Sequence, residues 1–460
     1  MRYISTRGRA PALDFAGVTL AGLAKDGGLY VPEEWPRLSP DQVAALADLS
    51  YAETAARVLA PFVGDALTPD ELHDLTARAY ARFAHAAVAP LVQLDHDLWL
   101  LELFHGPTLA FKDVALQLLG LLFERFLSTS DRPLTVIGAT SGDTGSAAID
   151  ALAGRAGVEV FMLHPAGRVT EVQRRQMTTV AAPNIHNLAV EGTFDDAQGL
   201  VKAMFADPAL AHLRLSAVNS INWARLAVQV VYYAYASVRL SHGGPVHFSV
   251  PTGNFGDVFA GYVAARMGFP VGRLIVATNV NDVLHRALTL SDYSRGTVQQ
   301  TTTPSMDIQV SSNFERLLFE GLDRDAPALA AAMTGFERTG TMRLTPAQRD
   351  HADLHLRADR VDADDTMIAM RWASEAAGEV IDPHTGVALA AARRAGLAGP
   401  VVALATAHPA KFPDAVERAT GIRPALPRRV GDLHDRAERY ETLPATLAAV
   451  SAHVLAHAAS

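Results

Sequence analysis

The chain of 460 residues carries 40 basic against 49 acidic residues, a net charge of −9, with 49% hydrophobic and 19% charged residues. That composition can bury a large core, points to roughly two to four domains, and offers no basic block for nucleic acid or a membrane surface. There is no cysteine, which excludes disulfides, thiolate nucleophiles, iron–sulfur clusters and cysteine-ligated zinc.

Residues 1–93 read as a region of their own. Met1 to Phe15 lacks the apolar segment of a signal peptide. Gly27-Gly28-Leu29-Tyr30-Val31-Pro32 reads as a turn entering a short strand, and Thr68-Pro69-Asp70-Glu71 as a capping box opening a helix toward Phe83. From Leu98 onward short apolar strands alternate with amphipathic helices. The strands are expected at 98–104, 134–139, 158–163, 185–191, 246–250, 274–277 and 401–405, and the helices at 114–126, 144–153, 170–180, 194–205 and 257–267. This alternation argues a parallel α/β architecture, in which ligands bind at the carboxyl ends of strands. Residues 326–395 read as mostly helical, and Glu441 to Ala458 as a closing helix. The longest apolar helix candidate, Leu226 to Val238, contains Gln229. It is too short for a bilayer, which takes about 20 apolar residues. The expectation is a soluble cytoplasmic protein.

Five loops carry the chemistry. His105-Gly106-Pro107-Thr108-Leu109-Ala110-Phe111-Lys112-Asp113 joins a strand to a helix and puts Lys112 at the helix start. The helix dipole is positive there, and apolar neighbours also lower a lysine pKa. A neutral amine suits Schiff-base chemistry, although a lone lysine here also fits a surface side chain snorkelling at a helix start. Val250 to Asp257 brings Gly253, Asn254, Phe255 and Gly256 to another helix start. Backbone N–H groups there suit a phosphate, and a tight strand–helix turn accounts for the pattern equally well. Thr140 to Ser146 offers hydroxyls and amides suited to a carboxylate, or simply a helix cap. Asp143 belongs in such an anion site only if it faces a cation. Asn219 to Arg225 gathers a hydroxyl, two amides and a guanidinium. Arg225 could grip a phosphate in a bidentate fork or pair with a surface carboxylate. Thr406, after the last strand, could pair with an unprotonated ring nitrogen or satisfy its own backbone.

Two histidine pairs, His351 with His355 and His453 with His457, have i, i+4 spacing but lack the His-Glu-x-x-His form. All are read as surface residues, and no metal is expected. No Gly-x-Ser-x-Gly or P-loop motif is present.

The order of these motifs resembles fold-type II pyridoxal-phosphate enzymes, of the tryptophan synthase β-like architecture. Within them the wording is similar to the bacterial and yeast branch of the threonine synthase family. The matching strings are LELFHGPTLAFKD (101–113), ATSGDTGS (139–146), NSINWARL (219–226), PTGNFGD (251–257), ATNVNDV (277–283) and ATAHPAKF (405–412), with GGLYVP near the N-terminus. The resemblance implies an α/β fold of two parallel-sheet domains plus an N-terminal region. Residues 1–93 would form that region, 94–129 with 222–460 a large cofactor-binding domain, and 130–221 a smaller mobile domain.

Pyridoxal 5'-phosphate would be the cofactor, bound through Lys112. Gly253, Asn254, Phe255 and Gly256 would cradle its phosphate, with Thr406 beside the pyridine nitrogen and Asp143 near the ring hydroxyl. Ser141, Gly142, Thr144 and Gly145 would bind the substrate carboxylate, and Ser220, Asn222 and Arg225 the substrate phosphate. The implied reaction converts O-phospho-L-homoserine and water to L-threonine and phosphate, the last step of threonine biosynthesis. The implied partner is that small molecule alone, with no nucleic acid or membrane, in a monomer or homodimer. A pyridoxal-phosphate dehydratase or phospho-lyase releasing an oxo-acid would share these loops, as would a non-catalytic sensor. The Ser220/Arg225 cluster and the intact Lys112 argue for the synthase.

Overall fold

In the computed structural model, residues 1–128, 133–210 and 212–458 are described. Two parallel sheets organise the chain. The larger runs, in spatial order, Leu356–Arg360, Val271–Thr278, Val246–Pro251, Val401–Ala405, Leu98–Glu102 and Leu91–Asp95. Every neighbouring pair is parallel except the last. The smaller runs Glu441–Pro444, Ile185–Glu191, Val158–Pro165, Leu134–Ala139 and Arg214–Ser216, parallel throughout. A third, two-stranded sheet pairs Tyr3–Ser5 with Tyr30–Pro32.

Strand side chains alternate between two cores, as the pleat requires. In Val401–Ala405, Val402 and Leu404 face the main core, while Val401 and Ala403 face a second one beneath the helices Ala363–Ala376 and Pro383–Arg394. Both faces are therefore covered, which is why this strand is apolar at every position. The helix Trp223–Leu240 lies in the main core and buries all but two of its residues. Trp223 meets Tyr3, Trp35 and Phe62 at ring-centroid distances of 5.8, 5.9 and 5.8 Å. The N-terminal region is thus packed onto the helix layer of the larger sheet. Each such ring buried contributes on the order of 2–3 kcal/mol.

The span 326–395 is mostly helical, as expected, but is interrupted by the strand Leu356–Arg360. Three of its five residues are charged, and as the edge of the sheet it tolerates charge that an interior strand would not. Glu441 to Ala458 is not one helix. Glu441–Pro444 pairs with Leu188 to Glu191 on the smaller sheet, and only Leu447–His457 is helical, with Thr446 as its cap. Val450 and Val454 pack against Phe161, Leu163 and Leu188. The chain's last elements therefore sit on the smaller sheet, whereas the sequence division places 222–460 with the larger one. The division expected between residues 129 and 130 lies outside the described residues.

Candidate active site

Lys112, Thr406 and the Gly253 loop converge where the larger sheet's strands end at their carboxyl termini. Two backbone contacts and one left-handed residue aim the lysine. The amide of Phe111 donates to the Thr406 carbonyl at 2.8 Å, Ala110 bridges Ala407, and Leu109 adopts φ +63°. Behind them Asp113 accepts from the amide and the hydroxyl of Thr108, each at 2.7 Å. Gly106 is required by that contact, because a Cβ there would lie 2.3 Å from the Asp113 Cβ. Lys112 begins the helix Lys112–Leu127, and its side chain is buried.

The buried Asp143 answers the question its loop raises. Its Oδ2 lies 3.3 Å from the Nζ of Lys112 and its Oδ1 2.9 Å from the Nζ of Lys411, while Gln173 donates to Oδ1 at 2.8 Å. Burial alone would raise this carboxyl, but Lys411 and Lys112 outweigh it and hold it below the usual carboxylate range. Burial lowers the Lys112 amine, with Arg225 and Lys411 acting the same way against Asp143. Lys411 is fully buried and also donates to the Thr108 carbonyl at 2.7 Å and to Gln176 at 2.9 Å.

Across the cavity the strand Val246–Pro251 ends in the turn that starts the helix Gly256–Met267. Phe255 takes a left-handed conformation, φ +62°, and no side chain caps the helix. Its first amides are left to an anion. Gly253 lets the backbone come close, since a Cβ there would meet the Ser305 carbonyl oxygen at 2.4 Å. Asn313 binds the carbonyls of both Ser220 and Asn254, at 3.1 and 2.9 Å. Arg316, fully buried, donates to Asn313, to Tyr30 and to the Ile221 carbonyl. One buried guanidinium thus fastens the Ser220 loop to the phosphate loop.

Arg225 is buried on the helix Trp223–Leu240, and burial lowers its pKa to about 10, so it stays charged at neutral pH. A surface ion pair is excluded for it. Its Nη1 has no hydrogen-bond partner among the described residues. Asp257 accepts from Tyr232 at 2.5 Å and Tyr233 at 2.8 Å, and burial raises its carboxyl to about 6.

Of the residues expected from sequence, Lys112, Asp143, Thr144, Ser220, Arg225, Gly253, Asn254, Phe255, Gly256 and Thr406 all line one cavity, about 710 Å³ with its open mouth included. Three are engaged elsewhere. Asn222 caps its own helix through the amides of Ala224 and Arg225 and donates to the Thr19 carbonyl, so no polar atom is free for a substrate. The amides of Gly142 and Gly145 both donate to the Thr140 hydroxyl. Ser141 is half-buried beside them and does not line the cavity. Sequence reasoning missed Lys411, Asp257, Ser305 and His384. Asp382 holds Nδ1 of His384 at 2.7 Å, and the ring lines the cavity with Nε2 unpartnered among the described residues.

A buried lysine amine, an uncapped helix start with a Gly253 cradle, and unpartnered cationic and imidazole nitrogens together fit pyridoxal phosphate. Residues 85–407 match the family described as pyridoxal-phosphate dependent enzyme, and the architecture is that of its fold-type II members. Flanking it, residues 2–80 match the threonine synthase N terminus and 385–454 the threonine synthase C-terminal family. Threonine synthase of Pseudomonas aeruginosa is 51% identical, covering 99% of this chain and 98% of that one. The structure of pyridoxal-phosphate-bound threonine synthase from Brucella melitensis is 48% identical, with a TM-score of 0.97 over all of both chains. Yeast threonine synthase is 36% identical, with a TM-score of 0.93 over 99% of this chain and 98% of that one. The chain belongs to the threonine synthase family.

Proposed function

We propose that this enzyme converts O-phospho-L-homoserine and water to L-threonine and phosphate, with Lys112 as its cofactor lysine and proton carrier. The observation that carries the assignment of roles is the convergence of Lys112, the Gly253 loop and Arg225 on one cavity. Bound pyridoxal phosphate supplies an electron sink for carbanions. Gly253, Asn254, Phe255 and Gly256 would hold its phosphate, with Thr406 to meet its ring nitrogen and Asp143 its ring hydroxyl. Lys112, whose hold on its proton burial weakens, takes the Cα proton of the substrate and returns one at the end. A Cβ proton then leaves, and Arg225 and Ser220 hold the substrate phosphate as its bond to Cγ breaks. Cγ takes up a proton, and water adds its hydroxyl at Cβ and gives up its other proton. Thr144 holds the carboxylate, and Asn222 acts by capping the helix that presents Arg225.

The smaller sheet closes over the bound substrate and excludes water. The described residues of the span 130–221 move as this unit, and the pairing of Glu441–Pro444 with Ile185–Glu191 supports including the chain's end in it. The substrate is a small molecule. The enzyme acts in the cytoplasm as a monomer or homodimer, without nucleic acid or membrane. No helix among the described residues is long and apolar enough to cross a membrane.

The test is incubation of the loaded enzyme with O-phospho-L-homoserine, assaying phosphate and amino acid together. Phosphate matched by threonine is expected. Phosphate matched by 2-oxobutanoate would favour the phospho-lyase reading instead.

A further inference from the structure

Away from the cavity, the end of the chain gathers a cluster the reaction does not use. Glu441 on the strand Glu441–Pro444 and His453 and His457 on the helix Leu447–His457 bring one carboxylate oxygen and one nitrogen of each ring within 4.8 Å of one another. His453 and His457 are one turn apart, and their rings stack at 4.2 Å between centroids, 25° from parallel. The side chain of His453 is 7% exposed. Its Nδ1 lies 3.5 Å from Glu441 Oε2, and its Nε2 is buried with no hydrogen-bond partner among the described residues. A buried imidazole nitrogen without a partner costs stability.

His186 is occupied by Glu159 at 3.2 Å and stacks on Phe161. Nδ1 of His457 lies 2.9 Å from the His453 carbonyl oxygen, so Nδ1 is the donor and the lone pair is left on Nε2. A backbone carbonyl that fixes the tautomer in this way is the usual support of a metal-binding histidine. Two imidazoles and a carboxylate, with no thiolate in the chain, form a ligand set for a borderline divalent ion of the zinc class.

We propose that Glu441, His453 and His457 bind one zinc-class divalent cation, with water in the fourth position. The ion fastens the last strand to the last helix, and through them the end of the chain to the smaller sheet. It takes no part in the reaction. Glu441 and His457 are the exposed members of the set, and zinc bonds to such nitrogen and oxygen ligands at about 2.0–2.2 Å.

The test uses the pyridoxal-phosphate-loaded enzyme after chelation and dialysis. Zinc uptake is measured by calorimetry, and cobalt(II) is used as a visible-absorption probe. His457→Gln and Glu441→Gln are compared with the parent, since both side chains are exposed and their loss leaves the core intact. The expected result is one equivalent of zinc in the parent, intense cobalt bands of a four-coordinate site, and zinc protection against thermal unfolding. In both variants affinity should fall at least about tenfold and the protection should vanish, with threonine production unchanged. Equal zinc uptake by parent and His457→Gln, or cobalt bands no stronger than those of the hydrated ion, would overturn the proposal.

Discussion

Asp143 is shared by two buried lysines, its Oδ1 2.9 Å from Lys411 and its Oδ2 3.3 Å from Lys112. One negative charge between two potential positive ones lets Lys112 give up its proton while Asp143 keeps a counter-charge. Lys411→Met removes that arrangement. Asp143 then acts on Lys112 alone, and the amine holds its proton to higher pH. Turnover at neutral pH should fall at least about tenfold, since one unit of pKa is worth about 1.4 kcal/mol. The acid limb of the kcat/KM profile should move to higher pH. A profile left in place with only a lower plateau would mean that Lys411 supports packing alone.

Arg225 is a buried cation with an idle Nη1. Arg225→Ala should raise the KM for O-phospho-L-homoserine by at least about thirtyfold, because removing one partner of a buried charge pair costs about 2 kcal/mol or more. The cofactor's absorption spectrum should not change. An unaltered KM would remove Arg225 from the substrate site.

Gly253→Ala would set a Cβ 2.4 Å from the Ser305 carbonyl oxygen. That clash is with backbone, which yields little, so the phosphate loop must shift. Titration of the cofactor-free variant with pyridoxal phosphate should show affinity reduced at least about tenfold, with global stability lowered by only about 1 kcal/mol, an ordinary cost for one substitution. Unchanged affinity would place the phosphate elsewhere.

Asp113 supplies a pH test of the fold around the lysine. Burial, then the charge of Asp150, raises its carboxyl to about 7 despite two hydrogen bonds from Thr108. A raised carboxyl pKa means that the folded state holds a proton the unfolded state has lost. This contribution to stability is present below about pH 4 and is lost as pH rises toward 7. Asp113→Asn lacks it. Denaturant unfolding should therefore show the variant's deficit shrinking by about 2–3 kcal/mol between pH 5 and pH 8. A deficit that stays constant or grows would contradict the raised pKa.

Much of this was legible in the chain because the site is built from contiguous loops at strand ends. The apolar run at Val401–Ala405 coincides with the observed strand because it is covered on its two faces. Leu356–Arg360 is hidden because an edge strand need not be apolar. Lys411 belongs to a motif that could be read, but its role depends on meeting Asp143 from the far side of the site, which no local pattern encodes. Asn222 misleads for the opposite reason. Its place among polar residues suggests a ligand, yet helix capping uses the same side chain for the same physical reason. His453 reads as a surface residue on an i, i+4 pair but is buried against the smaller sheet.

The most direct test of the assignment of Lys112 is reductive trapping. The loaded enzyme is treated with borohydride, digested, and the pyridoxyl-bearing peptide is sequenced by mass spectrometry. The label should fall on Lys112 alone, and Lys112→Ala, folded but without turnover, should take none. A label on Lys411, or retained threonine production by Lys112→Ala, would contradict the account.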